Sequence, residues 1–243
     1  MKKLYFSAIL GLLFLVTCPV TAATIHLDKD TSLVPQGWSV ADDDLKFKKD
    51  TTAELNINGE LVKGTLKSDS YLRPTGWKNI INDYYMTETN HLFFPRFFYP
   101  IRTYSNLALP AYGHIRYKGN TAITFNEQGL VIEGIIDEPV TISLQNNKYG
   151  FISFKEGTLL TFNNTGDIIS GTLDKDTKLR PLGWEKNLNT NAGFIEFKKD
   201  KKVTFTKNGY VESGTLKNTI HWKKSDDSTI ILLKDTLIQF NML

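Results

Sequence analysis

A single cysteine, Cys18, occurs in 243 residues, and it lies in an N-terminal stretch with the features of a cleaved leader. Disulfides, a thiol nucleophile and cysteine-ligated metals are therefore not expected in the working chain. Histidine is also scarce. His26, His91, His114 and His221 lie far apart without metal-ligand spacing, so surface or satisfied core roles are expected for each. An excess of charge of one sign is missing too: without Lys2 and Lys3, 27 Lys and Arg stand against 26 Asp and Glu. Nucleic acid is not expected as a partner. Beyond residue 23 no apolar run approaches the ~20 residues of a bilayer span, so no transmembrane span is expected in the mature chain. Nucleophile-elbow, zincin, phosphate-loop and dinucleotide signatures are absent, and neither a catalytic residue, a metal nor a cofactor is expected.

The leader is built from Lys2 and Lys3, an apolar run from Leu4 to Val16, and the small residues of Val20-Thr21-Ala22-Ala23. Residues 1–23 read as a signal peptide, with the mature chain starting near Ala23 or Thr24 and exported to a periplasm, a surface or the medium. Leu15-Val16-Thr17-Cys18 offers the alternative of a lipoprotein acylated at Cys18, against which stand Thr17 and Pro19 on either side of the cysteine.

Self-comparison carries the strongest signal. Two apolar residues, five spacers and two apolar residues recur five times: Leu45, Phe47, Ala53, Leu55; Ile115, Tyr117, Ile123, Phe125; Ile152, Phe154, Leu160, Phe162; Ile195, Phe197, Val203, Phe205; and Ile230, Leu232, Ile238, Phe240. Alternation within each pair is a strand period, and turn-rich spacers such as Lys118-Gly119-Asn120 predict that each unit opens with a β-hairpin. In four units a glycine follows four positions later and a second one five further on: Gly59 and Gly64, Gly129 and Gly134, Gly166 and Gly171, Gly209 and Gly214. The first predicts a turn, with Asn58-Gly59 and Asn208-Gly209 as tight-turn dipeptides. The second predicts a bulge or close backbone approach in a returning third strand.

Leu-x-Pro-x-Gly-Trp recurs at Leu33–Trp38, Leu72–Trp77 and Leu179–Trp184. Proline fits the first corner of a β-turn and glycine its last position, so Pro35, Pro74 and Pro181 are expected to deliver Trp38, Trp77 and Trp184 to the joints between units. A ligand-stacking platform is the alternative for these rings. Arg73 and Arg180 precede two of the prolines and are expected to brace Trp77 and Trp184 by cation–π contact.

The expected fold is all-β, with tandem hairpin or three-stranded units forming an open solenoid or a rolled antiparallel sheet. A single domain of residues 24–243 divides into units of about 24–64, 65–134, 135–171, 172–214 and 215–243, the second carrying an insertion at 79–113. That insertion breaks the repeat and is rich in aromatics with interspersed arginines. Tyr84, Tyr85, Phe93, Phe94, Arg96, Phe97, Phe98, Tyr99, Arg102 and Tyr104 are the candidate binding residues, suited to sugar stacking or a protein interface; a lid over the core is the competing expectation. Asp28/Asp30 and Asp174/Asp176 invite calcium, but the middle copy, Lys67-Ser68-Asp69, keeps one acid, and turn capping is the expectation.

The pattern Phe205-x3-Gly209-x4-Gly214, repeated at Phe125-Gly129-Gly134 and Phe162-Gly166-Gly171, resembles the hairpin repeats of bacterial cell-wall-binding (choline-binding-type) proteins and, more loosely, MORN-like repeats. The resemblance implies a hairpin repeat and a cell-envelope role. Thr172 and Thr215 stand where the cell-wall repeats place a choline-caging aromatic. The full unit with Leu-Arg-Pro-x-Gly-Trp is similar to exported bacterial repeat proteins of uncharacterised type. The function expected is that of an exported, non-catalytic module binding envelope glycan or a protein partner. A structural or adhesin-like spacer, and less so a polysaccharide-acting enzyme, are the alternatives.

Overall fold

The structure, a computed structural model, describes residues 23–39, 45–81, 113–144, 150–188, 192–224 and 226–243. The strands β1 (Ala23–Leu27), β2 (Thr31–Ser32), β3 (Lys46–Phe47), β4 (Thr51–Leu55), β5 (Leu61–Thr65), β6 (Ser70–Leu72) and β7 (Ile80–Ile81) precede the insertion. After it come β8 (Ile115–Tyr117), β9 (Ala122–Phe125), β10 (Val131–Ile135), β11 (Val140–Ser143), β12 (Phe151–Phe154), β13 (Leu159–Phe162) and β14 (Ile168–Thr172). The series ends with β15 (Thr177–Leu179), β16 (Ile195–Phe197), β17 (Lys202–Phe205), β18 (Val211–Thr215), β19 (Ile220–Lys223), β20 (Thr229–Leu232) and β21 (Leu237–Gln239). The protein is all-β and antiparallel, with isolated helical turns at Trp77–Asn79, Trp184–Asn187 and Phe240–Met242.

Ten strands form one sheet in the order β1-β4-β5-β9-β10-β13-β14-β17-β18-β21, and the rest form short sheets β2-β3, β6-β8, β12-β11-β7, β15-β16 and β19-β20. This pairing corrects the expectation that each unit opens with a hairpin. β8 pairs with β6 and not with β9, which it precedes by five residues; β9 instead lies between β5 and β10. The five-residue spacer is therefore a corner that carries the chain from a short sheet into the large one. Each corner turns on one residue with left-handed φ, namely Asp50, Asn120, Gly157, Asp200 or Asp235. Its N–H donates at 2.7–2.8 Å to a carbonyl of the preceding crossover: Leu27, Leu66, Ile136, Leu173 or Leu216. Asp and Asn tolerate this conformation better than other side chains with a Cβ.

The hairpins lie one step later, at β4–β5, β9–β10, β13–β14 and β17–β18. Gly59, Gly129, Gly166 and Gly209 all have positive φ, but the residues before them do not, so the turns are not the Asn-Gly type expected. Gly129 donates its N–H to the Asn126 carbonyl, and Asn126 donates its own to Leu130. The three-residue loop is thus closed by a glycine in the left-handed region. The Asn126 side-chain oxygen accepts from Gln128 and Leu130, and Asn56 and Asn163 cap their loops in the same way. These asparagines spare the loop N–H groups from going unpaired.

Both layers send their apolar residues inward. Phe47, Tyr117, Phe154 and Phe197 are at most 1% exposed, as are Leu61, Val131 and Val211 of the returning strands. The second glycine of each unit lies beneath one of these rings: a Cβ on Gly134 would come within 2.6 Å of Tyr117, and one on Gly171 within 2.4 Å of Phe154. The register shift falls one or two residues earlier, between Val131 and Glu133 for example. The glycine therefore answers to a ring and not to the bulge or backbone approach expected.

Candidate functional site

Tyr84, Tyr85, Phe93, Phe94, Arg96, Phe97, Phe98, Tyr99, Arg102 and Tyr104 lie outside the described residues, as do Cys18 and the leader. What the structure defines is where that segment leaves the sheet. β7 pairs with β11, placing Ile81 opposite Thr141, and Gly113 at the far end packs against the Trp77 ring.

The Leu-x-Pro-x-Gly-Trp turns are shifted by one residue from the expected position. Trp38, Trp77 and Trp184 donate their N–H groups to the carbonyls of Pro35, Pro74 and Pro181, so proline opens the turn and glycine stands at its third position. The flanking residues bond to the start of a returning strand: Thr75 donates to Val131, which donates to Arg73. Proline sits between them, where no N–H is needed.

Each of the first two turns abuts the hairpin loop of the following unit. Gln36 donates through Nε2 to the Phe125 carbonyl, Trp38 through Nε1 to the Gly129 carbonyl, and Thr75 through its hydroxyl to the Asn163 carbonyl, all at 2.8 Å. Trp38 therefore spans a joint between units. Trp77 and Trp184 pack on Gly113 and Gly193, which lie just before the next short strand, and the helical turn opened by Trp184 lies against β19 of the following unit. Arg73 and Arg180 lie 4.7 Å from the rings of Trp77 and Trp184, and Arg180 also lies 4.4 Å from Phe194. All three tryptophans are half-buried, so each presents both a packing face and an open edge.

A single acid recurs at the crossovers. Asp30, Asp69 and Asp176 accept the corner N–H groups of Lys49, Gly119 and Lys199 at 2.8–2.9 Å. Lys67 reaches Asp30 at 2.8 Å, Arg116 reaches Asp69 at 2.7 Å, and Lys217 reaches Asp176 at 2.6 Å. These are caps over long sequence separations, not local turns. Among the described residues no group of three or more His, Cys, Asp and Glu is gathered for a metal ion.

The bonds from Lys67 and Lys217 hold the carboxyls of Asp30 and Asp176 below the ordinary carboxylate range, and the Gly119 N–H does so for Asp69. Lysine contacts from Lys155 and Lys198 do the same for Asp200 and Asp235. The native state thus binds fewer protons than the unfolded chain in this range, so the stabilisation is present above the unfolded value of about 3.9. It is lost as pH falls through the lower folded values. Urea midpoints should hold level from about pH 7 to about pH 5 and fall below about pH 4. A profile that stayed flat through the acid range would show that these exposed pairs contribute nothing measurable.

The crossover after β10 lacks the recurring aspartate. Where Asp30, Asp69 and Asp176 stand in three others, it carries Pro139, preceded by Asp137 and Glu138. Arg116 bridges the gap, 2.7 Å from Asp69 and 3.2 Å from Asp137. Burial raises the Glu138 carboxyl above its usual range, and burial together with Glu138 raises the Tyr71 phenol. Sequence reasoning missed this group; the signal available was Pro139 standing where three other crossovers carry an aspartate.

A further surface is the face of the ten-stranded sheet turned away from the core. Across it one residue per strand stands in direct register: Thr24, Glu54, Lys63, Thr124, Glu133, Thr161, Ser170, Thr204, Ser213 and Gln239. Every member is polar and six carry hydroxyls, one of which, Ser170, is only 4% exposed. Neighbouring strands lie about 4.8 Å apart, so this is a regular row of donors and acceptors, with Thr204 and Ser213 hydroxyls 2.8 Å apart. No helix among the described residues is long and apolar enough to cross a membrane. Comparison with protein-family models, with curated proteins and with solved structures yields no match.

Proposed function

We propose that the chain winds as an open solenoid and is an exported, non-catalytic binding module for envelope glycan or a protein partner. The observation that supports this reading best is the polar row across all ten strands. A repeated array of hydroxyl, amide and carboxylate groups suits an extended partner whose own groups repeat, because each strand adds one equivalent contact. Half-exposed tryptophans at the Pro-x-Gly-Trp turns and the aromatic insertion supply stacking surfaces for the same kind of partner.

The test is retention of envelope glycans and envelope proteins by the immobilised exported chain, compared with Thr124→Glu/Thr161→Glu/Thr204→Glu. Retention by the parent and its loss in the variant, with unchanged circular dichroism, is expected. Equal retention by both chains would remove the sheet face from the site. Release of shortened glycan that Glu138→Gln abolishes would replace the binding function with an enzymatic one.

A further inference from the structure

The two edges of the large sheet, β1 and β21, correspond to the two halves of one hairpin of the repeat. β1 leads into Leu27-Asp28-Lys29-Asp30, the counterpart of Leu173-Asp174-Lys175-Asp176, so β1 corresponds to a returning strand such as β14 or β18. It pairs with β4 on one side and, among the described residues, has no outgoing partner on the other. β21 leads into Phe240, the counterpart of Phe205, and so corresponds to an outgoing strand such as β17. It pairs with β18 and, among the described residues, has no returning partner. The contact each edge lacks is the one made within the chain at β4–β5, β9–β10, β13–β14 and β17–β18.

Sheet edges are commonly blunted by lysine, proline, a bulge or shortness; β1 (Ala-Thr-Ile-His-Leu) and β21 (Leu-Ile-Gln) contain no lysine, proline or bulge, and β21 is short at three residues. The last unit also exposes apolar side chains. Leu237 is 58% exposed and Met242 76%, and Leu233 occupies the place where four earlier units have Lys48, Lys118, Lys155 and Lys198. Lys155 and Lys198 each reach across to the corner aspartate of the unit that follows; a leucine there leaves the end without that charged contact.

We propose that the partner for both edges is a second copy of this chain, with β21 of one molecule pairing antiparallel to β1 of the next. The internal hairpins set the register. Gln239 corresponds to Thr161 and Thr204, and Thr24 to Ser170 and Ser213, which face each other as Thr161↔Ser170 and Thr204↔Ser213. Gln239 of one copy therefore stands opposite Thr24 of the next, and the polar row continues from molecule to molecule. Along β18–β21, Leu216 donates to Thr236; the alternation of an antiparallel pair then turns the Gln239 N–H to the open side. The repeat gives Thr24 the same orientation on β1. Joining unlike ends produces a heterologous contact, which grows as an open chain and does not close as a dimer. This inference is independent of what the sheet face binds.

Sedimentation of the chain as exported and processed by an expressing cell tests it. The mass is expected to rise with concentration from one chain to several without a plateau at two. Thr24→Pro and Gln239→Pro each remove a free-edge N–H without removing an internal hydrogen bond, so each variant alone should sediment as a monomer. An equimolar mixture should give a one-to-one dimer and nothing larger, since only one competent edge of each kind remains. In a chain without other mature cysteines, Thr24→Cys/Gln239→Cys should form intermolecular disulfide ladders on oxidation, the Cα spacing of such a pair suiting the bond. A parent that remains monomeric at all concentrations overturns the proposal. So does a single proline variant that still self-associates, because that would require pairing of like edges.

Discussion

Phe154→Ala is expected to lower the free energy of unfolding by about 3–5 kcal/mol, the range for emptying a fully buried aromatic site. Urea unfolding followed by tryptophan fluorescence measures it. The Phe154 ring is fully buried between the layers, its backbone bridges to Leu173, and it covers Gly171 on the returning strand of its own unit. Removing it leaves a space that the flanking Tyr117 and Phe197 units cannot close without breaking strand register. At the last unit the equivalent residue is Leu232, 8% exposed, and Leu232→Ala should fall toward the lower end of the about 2–5 kcal/mol typical of leucine. A central loss no larger than the terminal one would mean that the units do not share a continuous core. The same row supplies a control of opposite sign. Tyr117 stands among phenylalanines, and its hydroxyl is buried without a hydrogen-bond partner among the described residues. Burial alone raises its phenol far above the ordinary value. Tyr117→Phe should therefore stabilise the protein by about 1–2 kcal/mol, the cost of the unpaired group.

The ring positions, the positive-φ glycines and the all-β character were legible because each depends on a few adjacent residues. Alternation at Ile115 and Tyr117 marks a strand, and Gly129 four places after Phe125 marks a turn, whatever either strand pairs with. Partner choice is not local. Tyr117 and Ile123 alternate equally well whether their strands share a sheet or belong to two layers, so the spacer Lys118–Ala122 reads as a hairpin loop. The one distinguishing feature is the left-handed residue at its centre, which the unlike side chains Asp50, Asn120 and Gly157 conceal. The crossover aspartates are hidden for a similar reason. Asp30 caps Lys49 and Asp69 caps Gly119, separations of 19 and 50 residues, and such a bond leaves no short-range spacing to detect. The polar row is intermediate: its members alternate correctly along each strand, but only the register shows that they stand in line.

Gly171→Ala is expected to destabilise the protein by about 3 kcal/mol, at the upper end of the usual cost of overpacking. In an ordinary strand the same change would be favourable, because glycine there costs roughly 0.5–1 kcal/mol relative to alanine. Gly171 has no left-handed φ to preserve, so any loss must come from sterics. The added methyl would lie 2.4 Å from Phe154 Cδ1 and 3.0 Å from Leu160 Cδ1, and a close-packed interior has no space into which a ring can retreat. Phe154→Leu in the same chain tests that cause. If the ring demands the glycine, the two changes together should cost at least about 1 kcal/mol less than the sum of their separate effects. Additivity within about 0.5 kcal/mol would place the strain elsewhere. The repeat already contains the natural version of this cycle. Phe47 covers Gly64, Tyr117 covers Gly134 and Phe197 covers Gly214, whereas the last described unit has Leu232 in the ring position. Ring and glycine occur together because each fills the space the other leaves, and this pairing sets the distance between the two layers.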